Sequence, residues 1–282
     1  MKSGHHESLA LPDPGFSLRI EAVRLALGVS YNGRDYHGWQ SQPSRCTVQD
    51  QLEKALSGLA ASRISTLCAG RTDTGVHALM QVVHFDTAVQ RREISWVRGT
   101  NALLPRDISV EWARVVPAEF HCRASAHSRR YAYVVFQSPV RPSIDAARVG
   151  WIMQPLALQP VREAAACLVG EHDFSAFRAS ACQALSPVKI MREIRITQRG
   201  AYLRFEFEAN AFLHHMIRNI MGCLIAIGHG KYPPNWIKDL MATRQRKNAA
   251  PTFSADGLYF LGPRYDDRWG LPDRTPAYDG LP

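Results

Sequence analysis

The alternation of apolar and polar residues predicts a repeated set of strands and helices. Every second residue from Leu25 to Tyr31 is apolar, as in a strand with one buried face. A helix is predicted after Thr47, a suitable N-cap residue with Asp50 three positions later. Further strands are expected at residues 64–68, 81–86 and 108–112, and a second helix at residues 95–102. The first half therefore has the order β-α-β-β-α-β.

The second half repeats this order with one extra helix. A hairpin is predicted around Arg199-Gly200, and residues 137–150 form an irregular connector. Two halves of this kind are typical of paired ferredoxin-like domains, so we predict an α+β protein. Predicted strands are residues 130–137, 188–197, 202–209 and 258–261, and predicted helices are residues 160–169, 212–227 and 235–241. The expected boundaries are a poorly ordered extension (residues 1–22), two ferredoxin-like halves (residues 23–118 and 119–266) and a tail (residues 267–282).

Composition places the chain among soluble globular proteins. Of its 282 residues, 46% are hydrophobic and 21% are charged. Lysine and arginine number 34 against 25 acidic residues, and the resulting charge of +9 favours an anionic partner such as nucleic acid. The six cysteines have no CxxC or zinc-type spacing, which indicates a reducing compartment. The longest apolar stretch, residues 211–228, is interrupted by polar residues, so we expect a cytoplasmic protein without a membrane span.

Asp73 is the first candidate for chemistry. It lies in the stretch Ala-Gly-Arg-Thr-Asp-Thr-Gly-Val-His between two predicted strands. Gly70 and Gly75 permit tight backbone that would present a side chain at a strand end. A carboxylate on a rigid loop, with Arg71 two residues before it, is a plausible reactive group. The alternative is a polar turn in which Asp73 caps neighbouring backbone.

Arg218 is the second candidate. It is the only residue with a fixed charge between Ala211 and Gly228. If this arginine is buried, it needs an anionic partner, because an unpaired buried charge is very unfavourable. Alternatively, it belongs to a solvent-facing strip of the helix. That strip would consist of His214, His215, Arg218 and Asn219.

Histidines raise the question of a metal site. The sequence has no HxxxH or HExxH arrangement with a carboxylate beside it, so no metal is predicted. The histidines considered are His77, His84, His121, His127, His214 and His215.

The segment Gly70-Arg71-Thr72-Asp73-x-Gly75-Val76-His77 resembles the catalytic motif of the tRNA pseudouridine synthase A family. That family usually has alanine where this chain has Thr74. Further matches follow in the family's order, and together they extend from about Arg24 to Tyr265. They are Tyr36-x-Gly38-Trp39-Gln40, Asn101 with Leu104-Pro105, Phe120-His121-x-Arg123, Arg129-Arg130-Tyr131-x-Tyr133, Asp173-Phe174 with Phe177-Arg178, Asn210-Ala211-Phe212-x-His214-His215-Met216-x-Arg218-Asn219 and Gly257-Leu258-Tyr259.

The resemblance implies a pseudouridine synthase fold, in which two antiparallel sheets form one extended platform with the active cleft between the halves. It implies that Asp73 is the nucleophile in the conversion of uridine to pseudouridine, without cofactor or metal. Arg218 would pair with Asp73, Tyr131 would lie against the target uracil, and Leu258 would line the base pocket. Arg71 would hold the space left by a flipped nucleotide or grip its phosphate.

The resemblance also implies a substrate and an assembly. The expected target uridines are positions 38, 39 and 40 of the tRNA anticodon stem-loop, and a homodimer would contact one tRNA at its anticodon stem-loop and elbow. Arg123 and Arg178 are predicted to bind this substrate. Basic residues that could line an RNA groove are Arg34, Arg45, Arg91, Arg92, Arg98, Arg106, Arg123, Arg129, Arg130 and Arg178.

Two other functions stay open from the sequence. One is a non-catalytic, RRM-like RNA-binding protein, because residues 129–136 match much of the RNP1 pattern, although Arg130 replaces its glycine. The other is a hydrolase in which Asp73 works with a second acid. The route of isomerisation also stays open. Asp73 could attack the anomeric carbon, add to C6 of uracil, or abstract a sugar proton to give a glycal.

Overall fold

The computed structural model describes residues 22–272, so residues 1–21 of the predicted extension and residues 273–282 of the predicted tail lie outside it. The strands are β1 (Val23–Tyr31), β2 (Leu67–Cys68), β3 (His77–Thr87), β4 (Ile108–Val116), β5 (Ser128–Gln137), β6 (Gly150–Ile152), β7 (Gly170–Asp173), β8 (Val188–Arg199), β9 (Tyr202–Ala209) and β10 (Leu258–Arg264). The α-helices are α1 (Val48–Ala60), α2 (Glu93–Leu103), α3 (Leu158–Ala166), α4 (Met216–Gly228) and α5 (Trp236–Thr243).

All ten strands form one sheet with the order β4-β1-β3-β10-β5-β9-β8-β7, while β2 pairs with β3 and β6 pairs with β5. The first half has the strand order β4-β1-β3-β2, and the second has the equivalent order β10-β5-β9-β8. This is the ferredoxin-like order repeated, so the predicted α+β fold is confirmed. The exact boundaries of the halves stay a prediction.

The two halves meet at β3 and β10, which run parallel with Tyr259 opposite His77. The expected platform is therefore mostly, not wholly, antiparallel. β2 pairs with the edge of β3 that β10 also uses, but nearer the end of β3, where Leu67 lies opposite His84. Because β2 has only two residues, the first part of that edge is free for β10. The loop of residues 69–76, which carries Asp73 into β3, consequently lies beside the start of β10.

The helices cover one face of the sheet. Buried side chains of the helices share a core with alternate strand residues, including Leu27, Tyr131 and Phe260. Intervening strand residues such as Ala132 and Tyr259 form a separate cluster on the other face. No helix in residues 22–272 is long and apolar enough to cross a membrane.

Helix ends depart from the predictions where local backbone intervenes. The Thr47 cap is confirmed, since its hydroxyl accepts the Asp50 N–H at 3.3 Å. Helix α4 begins at Met216 rather than at Phe212, because His215 has φ 60° and ψ 6° and cannot continue a right-handed helix. The predicted strand at residues 64–68 shortens to β2, and the short strands β6 and β7 were not predicted.

Candidate active site

The loop of residues 69–76 is fixed by contacts on both sides of Thr72. The Tyr31 hydroxyl is 2.7 Å from Thr72 Oγ1, and the Trp39 N–H donates to the Thr72 carbonyl at 3.0 Å. Gly38 lies so close that a Cβ on it would be 2.6 Å from the same carbonyl oxygen. Within the loop, the Val76 N–H donates to the Asp73 carbonyl at 3.1 Å. The Asp73 side chain is therefore carried by well-anchored backbone.

The Asp73 carboxylate faces three basic side chains from the start of α4. His214 Nε2 lies 3.3 Å from Oδ1, and His215 Nε2 lies 3.4 Å from Oδ2. Arg218 Nη1 lies 3.5 Å from Oδ2. The polar-turn alternative, in which this side chain would cap neighbouring backbone, does not describe the structure. Residues about 140 positions apart in the chain are brought together because the two halves meet at β3 and β10.

Arg218 is held by a backbone segment that crosses α4. Its Nε donates to the Phe253 carbonyl at 3.0 Å, and the Phe253 N–H donates to the Arg218 carbonyl at 3.1 Å. The Arg218 side chain is 17% exposed, and the neighbouring Asn219 is buried. The alternative that Arg218 and Asn219 face solvent is therefore wrong, because residues 249–256 cover that side of α4.

Asn219 ties the same helix to two other segments. Its Nδ2 donates to the Phe177 carbonyl at 2.7 Å, and its Oδ1 accepts the Thr252 hydroxyl at 2.6 Å. These bonds fix the rotation of α4 about its axis and so the direction in which Arg218 points.

His214 and His215 were not predicted as partners of Asp73. Their rings lie 4.0 Å apart, although they are adjacent in the chain. Burial lowers the pKa of His215, and the Asp73 charge opposes this shift. One ligand-type atom from each of Asp73, His214 and His215 lies within 4.8 Å of the others, a grouping that could hold a metal ion. A search for histidine spacings misses it because the carboxylate comes from a distant loop.

Tyr131 is buried beside this loop. Its ring packs 4.9 Å from Phe260 and 5.1 Å from Phe212. A Cβ placed on Gly70 would be 3.8 Å from the Tyr131 hydroxyl. Burial raises the pKa of this phenol and the Asp73 charge raises it further, so the hydroxyl stays protonated at neutral pH. Leu258 is buried in the same core at the start of β10.

The other predicted arginines lie around this centre in different ways. Arg71 and Arg123 are exposed. Arg178 donates from Nη2 to the carbonyls of Cys182 and Ala184 at 2.8 and 2.9 Å, so its guanidinium contacts backbone. Its substrate-binding role stays a prediction, as do those of Arg71, Arg123 and Leu258.

Arg129 has a structural role that the sequence did not indicate. Its Nη1 donates to the Ala126 and Asn210 carbonyls at 3.0 and 2.9 Å. Its Nη2 reaches the Ala69 carbonyl at 3.5 Å, at the beginning of the Asp73 loop. Burial lowers the pKa of this arginine. Arg129 therefore connects the loop to β9 rather than lining an exposed groove.

Comparison with known proteins identifies the group to which this arrangement belongs. A family model described as tRNA pseudouridine synthase matches residues 28–123 and 164–266. The chain belongs to the tRNA pseudouridine synthase family. The synthases of this family are isomerases, so the predicted enzyme class is confirmed.

Several curated relatives carry the name tRNA pseudouridine synthase A. The protein from Albidiferax ferrireducens is 71% identical over 260 residues, which cover 92% of this chain and 100% of the relative. The one from Polaromonas naphthalenivorans is 66% identical over 264 residues, with the same shares covered. A solved structure described as a Cbf5-Nop10-Gar1 complex aligns with 84% of this chain and 48% of its own, at 12% identity and a TM-score of 0.33.

Proposed function

We propose that this synthase converts uridine to pseudouridine at positions 38, 39 and 40 of the tRNA anticodon stem-loop, with Asp73 as the nucleophile. The observation that supports this most directly is the Asp73 carboxylate, which is held on an anchored loop and contacted by His214, His215 and Arg218. The names of the close relatives favour tRNA as the substrate.

The reaction is an isomerisation with a simple balance. The bond from N1 of uracil to C1′ of ribose breaks, a bond from C5 to C1′ forms, the C5 proton leaves, and N1 gains a proton. No electron, metal or energy source is consumed. A carboxylate nucleophile suffices to labilise the first bond, and the ring must turn before the second bond forms. The basic groups around Asp73 hold its carboxylate in place beside the start of α4.

Tyr131 supplies the second part of the proposed mechanism. Its phenol is protonated at neutral pH, because burial raises its pKa, so it acts as a hydrogen-bond donor and a stacking surface rather than as a base. Leu258, in the same buried cluster, would contact the other side of the uracil pocket. The exposed Arg71 would hold the phosphate of the flipped nucleotide.

The contacts of Asp73 favour this function over the two alternatives. A hydrolase of the glycosidase type needs a second acid close to the first. The ionisable side chains in contact with Asp73 among the described residues are all basic. An RNA-binding protein without activity would not need a carboxylate fixed against an arginine.

The decisive experiment measures tritium release from tRNA labelled at C5 of uridine, because that hydrogen leaves in the reaction. Unmodified tRNA with uridine at positions 38, 39 and 40 is compared with tRNA carrying cytidine at all three. Wild-type enzyme should release tritium only from the first. Asp73→Asn should abolish release, since an amide keeps the shape but is neither a nucleophile nor a base. tRNA binding should stay within about tenfold of wild type.

Asp35→Asn is the matched control, because Asp35 is an exposed aspartate whose side chain is 80% accessible. It should retain wild-type activity. Turnover by Asp73→Asn above about one per cent of wild type, in protein free of deamidation, contradicts the nucleophile assignment. Release from the cytidine-substituted tRNA contradicts the proposed positions. The proposed homodimer is checked by light scattering with and without tRNA.

A further inference from the structure

The Asp73 carboxylate contacts two imidazole nitrogens at distances longer than those of a charge-assisted hydrogen bond. A charge-assisted hydrogen bond between nitrogen and a carboxylate oxygen is typically about 2.7–2.9 Å long. The imidazole contacts of Asp73 are 3.3 Å for His214 and 3.4 Å for His215. Both nitrogens are Nε2 atoms, and both point at the same carboxylate from distances beyond a short hydrogen bond.

Each of these two separations, which end on different oxygens of the carboxylate, is close to one edge of a metal coordination polyhedron. Zinc binds histidine nitrogen and carboxylate oxygen at about 2.0–2.1 Å, so neighbouring ligand atoms in a tetrahedron lie about 3.3–3.4 Å apart. The Asp73, His214 and His215 atoms all lie within 4.8 Å of one another. The His214 side chain is 39% exposed, so its ring is not enclosed by the surrounding protein.

The backbone at His215 is what brings the two rings to one side. Adjacent side chains in a strand point to opposite faces, and in a helix they diverge. His215 has φ 60°, a left-handed conformation that is unfavourable for a residue other than glycine. As a result the two rings lie 4.0 Å apart and both face Asp73. Backbone strain of this kind clusters at active sites and ligand-binding positions.

We infer that Asp73, His214 and His215 form an inhibitory site for a divalent transition-metal ion of the zinc class. Two imidazoles and one carboxylate suit such an ion, and they leave a fourth position for water. The bound ion would occupy the carboxylate that the reaction requires. The inhibitory effect rests on the proposed function of Asp73, whereas the binding itself does not.

Arg218 limits the strength of this site. Its Nη1 lies 3.5 Å from Asp73 Oδ2, so the guanidinium repels a cation bound to the same carboxylate. Metal should therefore bind reversibly and be removed by EDTA, and the chelated enzyme should be fully active. Neutralising the arginine should tighten metal binding even though it damages catalysis, which separates the two properties.

The test begins with EDTA-treated, desalted wild-type protein in the absence of tRNA. Titration with Co²⁺ should give the visible absorption of a tetrahedral site at one ion per chain, and Zn²⁺ should displace it. His214→Gln and His215→Gln should each weaken Zn²⁺ binding by at least about tenfold, the loss that outer-shell changes alone produce. Arg218→Gln should tighten binding about threefold or more.

The matched control is His121→Gln, because His121 belongs to another histidine pair, with its ring 5.0 Å from that of His84. It should leave Zn²⁺ affinity unchanged. Absence of the Co²⁺ spectrum in wild type, or weaker binding by His121→Gln than by His215→Gln, overturns the inference. Zn²⁺ should also inhibit tritium release, and intact tRNA is verified on a gel. Failure of Asp73→Asn to lose activity would instead refute the proposed function and leave the binding result standing.

Discussion

Arg218 contacts Asp73 through one guanidinium nitrogen and backbone through another. Nη1 lies 3.5 Å from Asp73 Oδ2, while Nε donates to the Phe253 carbonyl at 3.0 Å. The planar guanidinium is thus fixed at two points, so it orients the carboxylate as well as neutralising it. A point charge at the same place would do only the second.

Substitution of Arg218 should therefore reduce activity in the order Arg, Lys, Met. Lysine keeps the charge but has no fork to bond both Asp73 and Phe253. Arg218→Met should also lower the free energy of unfolding by about 2 kcal/mol, less than for a fully buried pair because both side chains are partly exposed. Urea unfolding and tritium release measure the two effects.

A double-mutant cycle tests whether the two residues interact energetically. The combined change of Asp73→Asn and Arg218→Met should destabilise the protein less than the sum of the single changes, by about 0.5–3 kcal/mol. Strictly additive losses of unfolding free energy would show that the 3.5 Å contact contributes nothing to stability.

Affinity for tRNA should fall steeply with salt, because a chain of charge +9 is expected to neutralise several phosphates. The slope of log affinity against log salt should be about −3 or steeper. Arg71→Gln should reduce the magnitude of this slope by about 1, because one phosphate contact is lost. Arg114→Gln is the control, because it makes the same change in net charge at an arginine that is already paired with Glu93 at 2.8 Å. It should leave the salt slope unchanged. Equal slopes for Arg71→Gln and wild type would argue against a phosphate contact at Arg71.

Gly222→Ala should impair activity through the segment that holds Arg218. A Cβ at Gly222 would be 2.0 Å from the Pro251 carbonyl oxygen, so residues 250–254 must shift. That segment contains the Phe253 carbonyl that accepts the Arg218 Nε–H. Tritium release and the melting temperature should both fall.

Gly58→Ala is the matched control, because a Cβ there meets only Leu103 Cδ1 at an ordinary 3.5 Å. This change in helix α1 should raise stability by about 0.5–1 kcal/mol and leave activity intact. Equal activity of the two variants would mean that the position of Phe253 does not matter for Arg218.

His84 should make the protein labile to mild acid. Burial, with smaller contributions from Arg24 and His121, lowers the pKa of His84 from 6.5 to about 4. The unfolded chain therefore takes up a proton below pH 6.5 that the folded protein binds only near pH 4. The stability contribution of this histidine is present above that window and is lost as the pH falls through it, by up to about 3 kcal/mol.

Urea denaturation at several pH values measures this loss of stability on acidification. His84→Gln should flatten the loss of stability on acidification, and substitution of the exposed His127 by Gln should not. Acid sensitivity that is identical in the two variants would assign the effect to other groups.

Local pattern was enough for most elements of this fold. Strand alternation at residues 25–31, the Thr47 cap and the hairpin at Arg199-Gly200 all depend on neighbours in the chain, and the structure contains each of them. The predicted start of α4 at Phe212 was wrong, since an apolar run does not reveal that His215 has positive φ. The strands β6 and β7 have only three and four residues, too few to show a period.

By itself the sequence determined the repeated order of elements, the basic charge, and Asp73 and Arg218 as the residues to consider. Tertiary structure alone decided that His214 and His215 share one carboxylate with Arg218, and that Arg129 anchors the Asp73 loop. The physical reason is the parallel pairing of β3 with β10. It places a loop from one half against a helix of the other, and no spacing within the chain reveals a contact between two halves of one sheet.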